Sequence, residues 1–80
     1  NAILIYDNEP RNAEIIKKIE EVIDLGYSVC IWNDRRVSDL KDINDMILSG
    51  LSQDDLVDII TSNTYKGLSA KAKLTEYKKI

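Results

Sequence analysis

The sequence predicts an α/β fold, a short parallel sheet flanked by helices, from three observations. The apolar run Ala2–Tyr6 lacks alternation, which is typical of a strand buried on both faces of a parallel sheet. Residues 11–25 carry apolar residues at helical spacing and predict an amphipathic helix. Tyr27–Trp32 is rich in β-branched and aromatic residues and completes a βαβ unit of about thirty residues.

The ends of the first helix carry recognisable signals. Pro10 stands where the first turn of a helix tolerates proline. Gly26 stands where a left-handed residue commonly ends a helix. The two strands that flank this helix are expected to be parallel and joined by a right-handed crossover.

Two helices are predicted after the second strand and a polar loop. Asp42–Ser49 is a short helix with Ile43, Met46 and Ile47 on its buried side. Ser52–Asp55 has the form of a capping box and opens the next helix.

A third helix after the βαβ unit is expected at the end of the chain. Residues 63–68 predict a turn or a short edge segment. Ser69 can cap a last helix whose inner face consists of Ala70, Leu74 and Tyr77.

Composition narrows the possible functions. The 80 residues include one cysteine and no histidine, which excludes an internal disulfide, a Ser-His triad and histidine-ligated metals. The longest apolar run has five residues, far below the roughly 20 of a membrane span. A cytoplasmic location is expected, and the start on a strand-like run without Met indicates a piece of a larger protein.

Charge is distributed unevenly along the chain. The net charge is −3, yet residues 1–58 hold 13 of the 14 acidic side chains and residues 59–80 hold five of the 11 basic ones. An acidic body with a basic tail can bind cations at one place and phosphates at another. Two solvated faces of opposite bias are the plainer interpretation.

Two pairs of acids follow the two predicted strands. The first acid block, Asp7 and Glu9, offers two hard oxygen ligands suited to Mg²⁺ or Mn²⁺. The second acid block, Asp42 and Asp45, shares a helix face. Both blocks should lie at the carboxyl-end rim of the sheet, where clustered carboxylates favour a divalent cation. Alternatively, each block serves only a turn or a helix cap.

Other polar and aromatic residues have two interpretations each. Arg11, one turn into the first helix, can reach a metal-bound phosphate or pair with Glu14. Trp32 is a core or rim residue, with base stacking as the weaker alternative. Arg35 and Arg36 are more often solvated than ligand-binding.

Three blocks in this order, Ile3–Arg11, Gly26–Trp32 and Lys41–Asp45, resemble the Toprim domain shared by DnaG-type primases, topoisomerases and related nucleases. More narrowly, Asp-Asn-Glu-Pro-Arg, Ile-Trp and Lys-Asp-Ile-Asn-Asp resemble primases of T4-like bacteriophages. The tail Asn63–Lys71 also resembles the C-terminal part of those primases.

The resemblance implies a Rossmann-like Toprim fold and Mg²⁺-dependent (or Mn²⁺-dependent) nucleotidyl transfer that makes short RNA primers. Asp7 and Glu9 match the catalytic and metal-binding Asp-x-Asp motif, with Glu in place of the second Asp. Asp42 and Asp45 match the metal-binding acids of the Lys-Asp-x-x-Asp block. Residues 1–80 would be a single partial domain, the C-terminal half of the catalytic domain, without the family's upstream Glu or zinc module.

The resemblance also implies partners. These are a single-stranded DNA template, ribonucleoside triphosphates and a replicative helicase, with no membrane. Arg11 and Lys41 are expected to bind substrate. Lys71 and Lys78, seven apart on the last helix, are expected to flank the template by phosphate charge, unless that helix merely closes one face of the sheet.

Two other functions stay open at this stage. The same acids serve hydrolysis in Toprim nucleases, such as the overcoming-lysogenization-defect type or small ribonucleases. A receiver-like module that binds a metal and a partner is the non-catalytic alternative, although only its acid pair is plausible here. A zinc module and a Glu-bearing strand encoded upstream would select a primase.

Overall fold

The computed structural model describes residues 2–80 and has the predicted α/β architecture, a three-stranded sheet flanked by four α-helices. No helix in this range is long and apolar enough to span a bilayer. The elements in chain order are β1 (Ile3–Ile5), α1 (Ala13–Asp24), β2 (Ser28–Cys30), a 3-10 helix (Arg35–Val37), α2 (Ile43–Leu48), α3 (Gln53–Ser62), β3 (Thr64–Tyr65) and α4 (Gly67–Tyr77).

The sheet is mixed rather than purely parallel. Its strand order is β1-β2-β3, and β1 runs parallel to β2 as predicted, with Leu4 opposite Val29. The short β3, within the segment predicted as a turn or edge, runs antiparallel to β2 and pairs Thr64 with Cys30. The backbone N–H of Ile31 donates to the carbonyl of Asn63 at 2.8 Å, which holds the end of α3 beside β2.

Strand β1 is less buried than its apolar sequence predicts. Ile3 and Ile5 are 43% and 39% exposed, whereas Leu4 is half-buried and packs against the core. Because β1 is an edge strand and its alternate side chains point to opposite faces, one face of it is open to solvent among the described residues. The prediction of burial on both faces is therefore wrong for β1.

Strand β2 is the centre of the fold. Val29 and Cys30 are adjacent and both fully buried, so both faces of β2 are covered. Burial raises the pKa of the Cys30 thiol to about 12, which makes this side chain the small core residue that its position indicates.

Helix α1 begins later than predicted because Asn12 caps it. The Asn12 side-chain oxygen accepts hydrogen bonds from the backbone N–H groups of Glu14 and Ile15 at 3.0 and 3.2 Å. Pro10 and Arg11 therefore lie in the preceding turn. At the other end, Gly26 has φ +87°, the predicted left-handed conformation.

Helices α2 and α3 begin at side-chain caps, Asp42 for α2 and the predicted Ser52–Asp55 capping box for α3. The buried side predicted for α2 is only partly correct. Met46 is fully buried, but Ile43 and Ile47 are 39% and 55% exposed, because a six-residue helix offers few positions to the core.

Helix α4 packs against α1 and against β2 and β3. It begins at Gly67, so Ser69 lies inside the helix and the predicted Ser69 cap is wrong. Its predicted inner face is confirmed, since Ala70, Leu74 and Tyr77 are all buried.

Candidate functional site

A backbone hydrogen bond joins the loop that follows β1 to the loop that follows β2. The backbone N–H of Asn8 donates to the carbonyl of Lys41 at 2.6 Å. Asn8 lies between the two acids of the first block, and Lys41 directly precedes the second block. The two acid blocks therefore meet at the same end of the parallel pair β1–β2, the end where ligands bind in open α/β sheets.

The buried side chain of Asn8 holds this junction together. Its Nδ2 donates to the carbonyl oxygens of Val37 and Leu40 at 2.8 and 2.9 Å, and its Oδ1 accepts from the Tyr77 hydroxyl at 2.7 Å. Sequence reasoning did not identify Asn8 as a structural centre. The only local signal is an amide residue between two acids that follow a strand.

The first acid block is accessible to solvent. Asp7 is exposed, and the Glu9 carboxylate lies 3.7 Å from the Lys41 ammonium group, with 28% of the Glu9 side chain exposed. At this distance and exposure the ion pair is weak, so both carboxylates can still turn toward a ligand.

The second acid block starts helix α2. The Asp42 carboxylate accepts the backbone N–H of Asp45 at 2.8 Å, so the capping interpretation is confirmed for Asp42. A carboxylate has roughly four acceptor positions, and the cap uses one of them. Asp45 is half-buried in the first turn of α2.

The four acids do not form an assembled metal cluster. Within residues 2–80, no three Asp, Glu or Cys side chains are grouped closely enough to hold one metal ion. The donor chemistry nevertheless fits a hard divalent cation, because the two joined blocks offer only carboxylate oxygens at a solvent-accessible edge. The metal site remains a prediction.

Arg11 lies beside the first block, in an open groove of about 530 Å³ lined by Glu9, Pro10, Asn12 and Ile80. Its Nε donates to the backbone carbonyl of Ile80 at 3.3 Å. The alternative ion pair with Glu14 does not form in the described part of the chain. Binding of substrate by Arg11 and Lys41 stays a prediction.

Trp32 belongs to the core. Its side chain is 3% exposed, and its Nε1–H donates to the Tyr6 carbonyl at 2.7 Å. The ring is therefore not available for base stacking, which leaves the core interpretation. It forms one wall of a cavity of about 190 Å³ that Asn8, Pro10 and Arg35 also line.

Arg36 is exposed to solvent, as predicted, and is also bonded to two carboxylates. It donates to both oxygens of Asp34 at 3.0 and 2.8 Å and to Asp58 at 3.0 Å. Hydrogen bonds from Arg36, with a further one from Asn63, lower the pKa of Asp34 to about 2. This network fixes the loop that carries the 3-10 helix toward α3.

The lysines predicted to bind template face acids of α1. Lys71 lies 3.3 Å from Asp24, and Lys78 lies 3.9 Å from Glu20. These four residues line a groove of about 340 Å³ between α1 and α4. The placement favours the structural interpretation of α4, in which its lysines bridge two helices, while template binding by Lys71 and Lys78 stays a prediction.

Comparison with known proteins gives one informative similarity. The chain is 35% identical to the DNA primase of Enterobacteria phage T4 over 79 residues. The match covers 98% of the chain but only 23% of the length of that primase. No protein-family model matches the chain.

Proposed function

We propose that this chain supplies one part of the catalytic face of a DNA primase, within a partial Toprim domain. The similarity to the phage T4 primase over almost the whole chain carries the proposal. The backbone hydrogen bond between Asn8 and Lys41 also supports the proposal, because this bond joins the two motifs that resemble the acid blocks of Toprim domains.

Asp7 and Glu9 would supply the catalytic carboxylates, with Asp42 and Asp45 as further metal ligands. Mg²⁺ (or Mn²⁺), when bound, would supply charge stabilisation for the phosphoryl group and activate the attacking hydroxyl. The carboxylates of this chain would hold the cation, and the Glu9 carboxylate already lies 3.7 Å from the Lys41 ammonium group, which adjoins the second block.

The substrates and partners follow from the same proposal. Ribonucleoside triphosphates would approach the rim beside Arg11, whose groove adjoins Glu9. A single-stranded DNA template would pair with the incoming nucleotide, and a replicative helicase would deliver that template. Any contact of Lys71 or Lys78 with the template competes with their ion pairs to α1.

The test is template-directed primer synthesis by the intact protein with Mg²⁺ and ribonucleoside triphosphates. Asp7→Asn preserves the shape of the side chain and removes its charge. We expect a loss of at least about 10²-fold in rate, the scale seen when one group that stabilises developing charge is removed.

Asp54→Asn is the matched control, because Asp54 is an exposed acid in the first turn of α3. It should leave the rate unchanged. Equal activity of the Asp7→Asn variant and the wild type would refute the catalytic role of the first block. Cleavage of nucleic acid without any primer synthesis would favour a Toprim nuclease instead.

A further inference from the structure

Asn8 makes contact with three separate parts of the chain. Through its backbone N–H it reaches Lys41, and through its side chain it reaches the 3-10 helix region and α4. The partners are 29, 32 and 69 residues away in sequence for Val37, Leu40 and Tyr77 respectively. Asn8 therefore joins the loop after β1 to the loop after β2 and to α4.

The orientation of the Asn8 amide is fixed by its partners. Two carbonyl oxygens require the NH₂ group, so the amide oxygen must face the Tyr77 hydroxyl. Three of the four hydrogen-bonding positions of the amide are filled, at 2.7–2.9 Å. Turning the amide over would place its oxygen against two carbonyl oxygens, so one orientation is strongly favoured.

Tyr77 completes this arrangement from α4. Its side chain is 1% exposed, and burial raises the pKa of its hydroxyl. The hydroxyl donates to the Oδ1 of Asn8 at 2.7 Å.

We infer that Asn8 and Tyr77 are positioning residues that hold the two acid blocks in register for a divalent cation. This inference rests on the proposed metal site. Asp7 and Glu9 flank Asn8, so any shift of the Asn8 backbone moves both carboxylates relative to Asp42 and Asp45. The Tyr77 hydroxyl restricts that shift without contacting the metal or the substrate.

The experiment compares Tyr77→Phe with Tyr27→Phe in the intact protein. The first removes the bond to Asn8 and keeps the buried ring. The second removes the hydroxyl of a tyrosine that is 49% exposed. Binding of Mn²⁺ is measured by electron paramagnetic resonance, well below the unfolding temperature, and primer synthesis is measured across a Mg²⁺ series.

Tyr77→Phe should weaken Mn²⁺ binding about three- to tenfold, the change expected for one buried hydrogen bond. The Mg²⁺ concentration for half-maximal synthesis should rise by the same factor, with the rate restored at saturating Mg²⁺. Tyr27→Phe should change neither quantity. A purely structural role would lower the unfolding temperature and leave the metal affinity of the folded protein unchanged.

Unchanged Mn²⁺ affinity in Tyr77→Phe, an equal loss in Tyr27→Phe, or no Mn²⁺ binding by the wild type would each overturn the inference. Suppose that the wild type makes primers and that Tyr77→Phe makes them with the same dependence on Mg²⁺. This result would refute the positioning role and leave the proposed function intact. Weaker Mn²⁺ binding in Tyr77→Phe without primer synthesis by any variant would support the positioning role and refute the primase proposal.

Discussion

Removing the Asn8 side chain should strongly destabilise the fold. Asn8→Ala deletes three side-chain hydrogen bonds and leaves three polar groups without their partner, the carbonyls of Val37 and Leu40 and the hydroxyl of Tyr77. Each loss costs about 1 kcal/mol or more when the remaining group is buried. The expected decrease in the free energy of unfolding is therefore about 3 kcal/mol.

That decrease is large for a domain of this size. At roughly 0.05–0.15 kcal/mol per residue, 80 residues give a total of about 4–12 kcal/mol. Urea denaturation followed by circular dichroism measures the difference, provided that the dependence on urea is the same for both proteins.

Asn33→Ala is the matched control for Asn8→Ala. Asn33 is exposed and lies in the loop after β2, so its replacement should change the free energy of unfolding by less than about 0.5 kcal/mol. A loss below about 1 kcal/mol for Asn8→Ala would show that water or a shift of the loops replaces its bonds, and would refute the role of Asn8 as the centre of the junction.

Two further predictions concern ion pairs. Hydrogen bonds from Arg36 hold the pKa of Asp34 at about 2, below its ordinary 3.8, so the stabilisation is present above about pH 4 and is lost as the pH falls toward 2. Full conversion of this shift gives about 2 kcal/mol, and solvent screening at the 45% exposed Arg36 side chain reduces the contribution to about 1 kcal/mol. Asp34→Asn should remove that part of the acid dependence in pH-resolved denaturation, and identical curves would contradict it. Lys71→Glu should lower the free energy of unfolding by less than about 1 kcal/mol, with a larger decrease at low salt than at high salt. Combining it with Asp24→Lys should restore the free energy of unfolding. A decrease that does not depend on salt would show that packing, not charge, is responsible.

Local patterns predicted the helices and parallel strands well, because helix period and capping chemistry act within a few residues. The Ser52–Asp55 capping box, Gly26 and the inner face of α4 depend only on neighbours in sequence, and all are present in the structure. The starts of helices were less predictable. The proline at position 10 indicated the start of α1, but the helix begins after its cap at Asn12.

The arrangement of the candidate site could be predicted only in part. Because the carboxyl ends of parallel strands lie at one edge of a sheet, the two acid blocks were predicted at the same end of β1 and β2. The backbone hydrogen bond from Asn8 to Lys41 joins them there. The contact between Asn8 and Tyr77 spans 69 residues, and no local pattern encodes such a pairing. The cap formed by Asp42 was one of the two alternatives that the sequence left open. The contact between Glu9 and Lys41 was not predicted, because it joins residues from two separate loops.

The position of a bound cation shows whether the two acid blocks act as one metal site. Titration of the intact, isotopically labelled protein with substoichiometric Mn²⁺ should broaden the backbone amide resonances around both acid blocks, residues 7–9 and 42–45, before any others. Broadening that is confined to one block, or centred on the acids of α1, would contradict the claim that the two blocks together form the metal site.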